Sequence, residues 1–259
     1  MLTCHVLRSL PNREARISEV GSDLKHVYND SKNRQFYHEE LKGCTTMIRI
    51  YPSLISANLL RLEAEIKQLE PYCDGFHLDI MDNHFVPNLT FGAGTVNAIS
   101  KATNKQLWVH LMVDDPENWC DTLQLPDQTI FSFHFESTKN IEGIIKRIKE
   151  NNWQPSIAIK PKTDVSELFP ILHMIDQVLI MSVEPGFSGQ CFLPSAVDAL
   201  KKLVAHRNEK QLPFVVGMDG GISGENIEML SQEGAQDFAI ASAIFDQGDP
   251  IAALKRLKG

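Results

Sequence analysis

The sequence predicts an α/β protein: a single (β/α)8 TIM barrel over residues 47–259, behind an N-terminal extension over residues 1–46. Three observations carry this. From Met47 onward, short apolar runs of strand length alternate eight times with stretches of helical period, the pattern of repeated βα units on a parallel sheet. The units are evenly spaced over the remaining 213 residues, which favours a closed barrel over a doubly wound open sheet. Polar residues and glycines gather at the C-terminal ends of the apolar runs, where a barrel keeps its chemistry.

Residues 48–51 read as strand one. Residues 59–69 form a helix, with Leu59, Leu62, Ile66 and Leu69 at helical spacing. Strand two covers 75–80, where Phe76, Leu78 and Ile80 alternate with His77, Asp79 and Met81, so the second set shares one face. Asp82-Asn83 and Pro87-Asn88 supply the turn chemistry that ends it. A helix at 94–102 leads to strand three, 106–112, and Pro116 opens the next helix, because proline suits a first helical turn. Strand four is 130–135 and its helix 141–151. Strand five is 156–160, followed by a short helix at 165–172. Strand six is 177–183, with a helix at 195–209. Strand seven is 214–218, with a helix at 225–233. Strand eight, 237–241, and a helix at 251–257 close the series.

Composition bounds the function. The chain is 43% hydrophobic and 22% charged, ordinary for a globular protein, and no apolar run approaches the roughly 20 residues that span a bilayer, so no membrane partner is expected. A net charge of −8 argues against nucleic-acid binding, which needs a basic patch. It leaves room for an anionic small molecule held by backbone N–H groups. Cys4, Cys44, Cys73, Cys120 and Cys191 are scattered and include no C-x-x-C, which points to a reduced, cytoplasmic chain without disulfides. Residues 1–46 carry seven Lys/Arg against six Asp/Glu, leaving 18 against 27, or −9, for the barrel. That segment is polar apart from a short helical stretch at 17–27. It reads as a disordered or loosely docked extension, as an upstream piece of reading frame ahead of a working start at Met47, or as a targeting peptide suggested by Arg8, Arg13 and Arg16. Glu14 and Glu19 oppose the last reading, since such peptides avoid acids.

Read only at the strand ends, the sequence assembles a constellation. Strand one ends in Pro52-Ser53, strand two gives His77 and Asp79, strand three His110, strand four His134 and Glu136, and strand seven Asp219. Two histidines and two aspartates at one barrel mouth suit Zn²⁺, Fe²⁺, Mn²⁺ or Co²⁺, and the donor set does not choose among them. Four such groups need a partner there, because buried unpaired charge is expensive. Gly186 and Gly189 follow strand six, Gly220 and Gly221 follow strand seven, and Ser242 follows strand eight. Glycine lets backbone approach a ligand closely, and the loops after strands seven and eight are a recurrent phosphate site in barrels.

These residues carry a resemblance. The stretch His77-x-Asp79-x-Met81-Asp82-x-His84-Phe85-Val86-Pro87-Asn88, with His110-Leu111-Met112-Val113, Met181-x-Val183-Glu184-Pro185-Gly186-Phe187 and Asp219-Gly220-Gly221, closely resembles the ribulose-phosphate 3-epimerases. The likeness runs from about residue 48 to the C-terminus. It implies an enzyme of the pentose phosphate pathway that inverts C3 of a ketopentose 5-phosphate, interconverting D-ribulose 5-phosphate and D-xylulose 5-phosphate. By matching position it implies one divalent metal ion on His77, Asp79, His110 and Asp219, with Asp79 and Asp219 as the acid/base pair. Inversion takes a proton from one face of C3 and returns one to the other, so two carboxylates are the simplest solution. Ser53 matches a substrate contact. Met81, Met112 and Met181 match residues that crowd the intermediate, although core filling explains a methionine equally well. The phosphate would sit among Gly186, Ser188, Gly189, Gly220, Gly221, Ala241 and Ser242. His134 and Lys160 are left without a catalytic role. A homo-oligomer is expected.

Three positions depart from the family pattern: Asn83, Ser188 and Ala241 stand where glycine is usual. Asparagine tolerates positive φ, so the turn at Asn83 should survive. The added Cβ atoms at Ser188 and Ala241 bear on substrate affinity, and none of the three touches the four presumed ligands. Two neighbouring readings share the fold. One is epimerisation of a ketohexose 6-phosphate such as allulose 6-phosphate, and the other is a phosphosugar-binding barrel without turnover. A decarboxylase would want a lysine among the strand-end acids, and residues 77–84 contain none.

Overall fold

The computed structural model describes residues 48–258, so the expected extension and its helical stretch at 17–27 lie outside the described residues. Eight parallel strands form the sheet: β1 (Arg49–Pro52), β2 (Gly75–Met81), β3 (Gln106–Met112), β4 (Ile130–His134), β5 (Gln154–Ile159), β6 (Gln177–Met181), β7 (Val215–Asp219) and β8 (Asp237–Ile240). The hydrogen-bonded order is β1-β8-β7-β6-β5-β4-β3-β2. The first strand therefore pairs along its length with the last, Arg49 opposite Asp237 and Pro52 opposite Ile240. The seam between β1 and β2 is thinner. It consists of a parallel bridge between Ser53 and His77 and the Asp74 N–H donating to the Ile50 carbonyl at 3.0 Å. The Ile50 N–H in turn donates to Asp74 Oδ2 at 2.8 Å. With these contacts the sheet closes into a barrel.

The helices are α1 (Leu62–Leu69), α2 (Ala93–Ala102), α3 (Trp119–Thr122), α4 (Ile141–Glu150), α5 (Ser195–Lys210), α6 (Ile227–Gln232), α7 (Ser242–Phe245) and α8 (Pro250–Lys258). Strand periodicity sends alternate residues to opposite faces, and this divides the core. Outward residues such as Phe76, Leu78, Phe131 and Val178 pack beneath Ile66, Ile144, Ile148 and Leu200 of the helices. Inward residues Tyr51, Trp108, Ile130, Ala158 and Leu179 fill the barrel itself.

A polar chain crosses the barrel floor. Arg49 Nε donates to Asp237 Oδ1, and Gln177 Nε2 donates to Asp237 Oδ2 at 2.8 Å. Ser156 donates to Gln177 Oε1, Ser132 to Ser156, and Trp108 Nε1 to Ser132, each at 2.7 Å. Each of these interior polar groups thereby finds a partner, as burial requires. The Trp108 ring stands edge-on to Tyr51 at 5.3 Å and to His77 at 4.8 Å, so it forms the bed on which the mouth is built.

The element boundaries differ from expectation in places with a local cause. The helix expected at 165–172 is two 3-10 turns, Val165–Leu168 and Leu172–Met174. Pro170 lies between them; it lacks an N–H and disfavours helix at the preceding residue. The helix expected from 59 starts as a 3-10 turn, Leu59–Arg61. Pro116 opens a 3-10 turn, Pro116–Asn118, that runs into α3. Strand four stops at His134, and Phe135–Ser137 turn back as a 3-10 element. Strand six stops at Met181, where the Ser182 hydroxyl turns to donate to the Asp219 and Gly220 carbonyls. The short helix α7 was not read from the sequence. No helix among the described residues is long and apolar enough to cross a membrane. Among the described residues Cys73 and Cys120 are buried free thiols and Cys191 is an exposed one.

Candidate active site

Register brings the site together. Along β2 and β3, Asp79 lies opposite His110 and Met81 opposite Met112, and across β6 and β7 Met181 lies opposite Asp219. His77, Asp79 and His110 are buried, while Asp219 is partly open to the mouth. His77 Nδ1 is 3.2 Å from Asp79 Oδ2 and His110 Nδ1 is 3.2 Å from Asp79 Oδ1. His110 Nδ1 also faces Asp219 Oδ2 at 3.5 Å. Ser53 Oγ donates to Asp79 Oδ2. Thr90 pins the strand exit, with its hydroxyl donating to the Asp79 carbonyl at 2.5 Å and accepting the Met81 N–H at 3.0 Å.

The charges are strongly biased. Burial alone would raise the Asp79 pKa, but the charge and hydrogen bonds of His77 and His110 outweigh it and hold the carboxyl well below its usual range. Burial pulls His110 down, yet its hydrogen bonds to Asp219 and Asp79 reverse this and push it up to about 9. Two carboxylates aimed at one buried nitrogen thus demand positive charge there, which a proton or a divalent cation can supply. The donor set fits the cation. One ligand atom from each of His77, Asp79, His110 and Asp219 lies within 4.8 Å of the other three, and donors on opposite sides of a small ion with bonds of about 2.0–2.2 Å stand roughly 4 Å apart. These four residues form a cluster that could hold a metal ion.

Above the cluster is a pocket. Ser53, Asp79, Met81, Met112, Met181 and Asp219 line it together with Gly186, Ser188, Gly220, Gly221, Ala241 and Ser242. Gly189 belongs to the same loop at φ +75°, but it is not among the lining residues. The turn at 220–221 requires glycine. Both residues have positive φ, and a Cβ on Gly220 would meet Val183 at 2.4 Å while one on Gly221 would meet the Phe192 nitrogen at 2.5 Å. Asn83 adopts φ 61°, so its turn forms without glycine.

Several participants were not read from the sequence. Asn88 Nδ2 donates to the Gly186 carbonyl at 2.7 Å, tying the loop after β2 to the loop after β6. Ile55, Val183, Pro185, Phe187, Gln190, Ile222 and Ala239 complete the pocket wall. His134, which had no assigned role, lies with Nε2 3.0 Å from His110 Nε2 and with Nδ1 3.2 Å from Glu136 Oε2. Burial pulls His134 down to about 4. Burial would raise Glu136, but the hydrogen bonds of His134, Thr163 and the Lys160 N–H hold it at about 2. The spacing His134-x-Glu136 repeats the spacing His77-x-Asp79, and that was the available signal.

Comparison with known proteins finds relatives over most of the chain. A ribulose-phosphate 3-epimerase from Mycobacterium bovis is 35% identical over 221 residues, covering 84% of this chain and 95% of that one. A cytoplasmic isoform of the same enzyme from Oryza sativa subsp. japonica is 35% identical over 217 residues, covering 80% and 93%. Among solved structures, a 3-hexulose-6-phosphate synthase superposes with a TM-score of 0.58 at 17% identity, covering 82% of this chain and 98% of that one; this likeness speaks for the barrel alone. The profile of the ribulose-phosphate 3 epimerase family matches residues 49–245, and with a mouth that sets two aspartates against one buried histidine, the chain belongs to that family.

Proposed function

We propose that the protein interconverts D-ribulose 5-phosphate and D-xylulose 5-phosphate by proton transfer at C3, as a cytoplasmic enzyme of the pentose phosphate pathway. The observation that carries this is the approach of Asp79 from β2 and Asp219 from β7 to the same His110 nitrogen, at 3.2 and 3.5 Å. A C3 carbon above that nitrogen has one carboxylate to each side. One carboxylate takes the C3 proton, the C–H electrons become the C2–C3 double bond of an ene-diolate, and the other carboxylate returns a proton to the opposite face. The reverse reaction exchanges the two roles. Ser53 holds the Asp79 carboxylate in place through its hydroxyl. Met81, Met112 and Met181 give the pocket an apolar wall, which keeps bulk water from the intermediate. Gly186, Ser188, Gly220, Gly221, Ala241 and Ser242, which line the same pocket, cradle the phosphate. A divalent ion, Zn²⁺, Fe²⁺, Mn²⁺ or Co²⁺, held by His77, Asp79, His110 and Asp219 would supply positive charge against the developing oxyanions.

The test is metal analysis of the purified protein together with C3 exchange in D₂O. About one divalent ion per chain, deuterium at C3 of ribulose 5-phosphate, and xylulose 5-phosphate as product are expected. Chelation should abolish turnover, and adding back one of the four metals should restore it. Metal without exchange would transfer the assignment to another sugar phosphate, a ketohexose 6-phosphate first, because Ser188 and Ala241 both line the pocket. Exchange that survives complete metal removal would overturn the ligand assignment.

The strap from Asn88 to Gly186 gives a second expectation. Asn88→Ala removes one hydrogen bond worth about 1 kcal/mol, so KM should rise about fivefold with kcat changed far less. An unchanged KM would show that the loop after β6 holds its position without the strap.

A further inference from the structure

We propose that His134 and Glu136 are positioning residues that fix the tautomer of His110 and so leave its Nδ1 bare for a cation. The inference rests on the metal reading above and extends it to residues outside the four-member cluster. The reasoning starts at Glu136. Its Oε1 accepts the Lys160 N–H at 2.8 Å and the Thr163 hydroxyl, and its Oε2 faces His134 Nδ1 at 3.2 Å. A carboxylate held this way only accepts, so His134 must carry its proton on Nδ1. His134 is fully buried, and a neutral imidazole with Nδ1–H has a bare Nε2. That Nε2 lies 3.0 Å from His110 Nε2. Two facing nitrogens can share only one proton, so His110 donates from Nε2. The remaining nitrogen of His110, Nδ1, is the one aimed at Asp79 and Asp219.

The relay is shielded from water. Phe85 covers the His134 ring with centroids 4.8 Å apart, and the Lys160 ammonium caps Phe85 at 3.7 Å from its centroid. The imidazoles of His110 and His134 are tilted by 30°, with centroids 5.1 Å apart. A histidine whose outer nitrogen is fixed in this way keeps ring orientation and basicity at the inner one, and loss of such support weakens metal sites by about 10–100-fold.

The experiment measures Zn²⁺ affinity against a competing chelator, with ring tautomers read by ¹H–¹⁵N NMR of the zinc-loaded protein. His134→Phe keeps a planar aromatic ring, slightly larger than the imidazole, and removes the acceptor, and should weaken zinc about 10–100-fold. In His134→Gln the side-chain carbonyl can accept from His110, so affinity should stay within about threefold of wild type. In the wild-type protein the His134 ring should be neutral with its proton on Nδ1. Should His134→Phe fold poorly, Glu136→Leu removes the acceptor that faces His134 Nδ1 at a partly exposed side chain and should lose about tenfold. A wild-type proton on His134 Nε2, or zinc held as tightly by a folded His134→Phe or Glu136→Leu as by wild type, would overturn the relay and leave the metal site standing. A wild-type protein that binds no zinc would overturn the metal reading itself, and the relay with it.

Discussion

Asp219→Asn will fold and lose turnover by at least about 10²-fold, the usual contribution of one acid/base group, and by more where metal affinity falls with it. The amide matches the carboxylate in size but cannot take a proton at C3. Fold should survive because Asp219 lies at the open end of β7, with its side chain only 16% exposed yet facing the mouth rather than the packed floor. Asp79→Asn will lose as much activity at a greater structural cost, since Asp79 accepts from Ser53 and faces both His77 and His110. With metal in excess the two variants should separate proton removal from inversion. The surviving carboxylate still exchanges the C3 proton of the epimer whose hydrogen faces it, and the other epimer exchanges nothing. Near-normal turnover in either variant, or exchange of both epimers, would end the two-base mechanism.

Trp108→Ala will cost about 3–5 kcal/mol of stability, which for a barrel of this size lowers Tm by roughly 10 °C. Trp108 is fully buried and its surroundings are shaped to it. A Cβ on Gly217 would stand 2.6 Å from the indole, so β7, which does not pair with β3, has given up a side chain inside the barrel to make room. Without the indole, nothing at Gly217 can refill the space, and Ser132 loses its donor. His77 loses the ring against which it stands, so metal affinity should fall alongside stability. A denaturation midpoint within about 1 kcal/mol of wild type would mean that the floor collapses around the cavity.

The faces of the strands were legible because alternation is a local property. Strand three was placed at 106–112, its observed extent, and the face shared by His77, Asp79 and Met81 follows from a period of two. The fold class followed from eight repeats of one pattern, which a few misplaced ends do not disturb. What escaped depended on where chains stop and what lies far away. Strand four gives way to a 3-10 turn at Phe135–Ser137, and Glu136 there accepts the Lys160 N–H from 24 positions away while facing His134. The helix at 165–172 read well by apolar spacing, and a single proline at 170 overrode it. Asn88 meets Gly186 across 98 positions of sequence, a contact no local pattern reports. The polar floor was illegible for the same reason, since Asp237 and Arg49 are 188 residues apart.

That last separation bears on how the protein can be made. β1 is among the first barrel segments to leave the ribosome, yet its full ladder is with β8, and toward β2 it has the Ser53–His77 bridge and the contacts of Asp74. The entropy of joining such distant segments must be met before the pairing returns anything. During synthesis β2 to β7 can add to one another in turn while β1 waits for the strand that comes last. Because Ser53, at the exit of that waiting strand, is the group that holds Asp79, the nascent chain has a sheet before it has a set active site, and the two are completed by the same closing step.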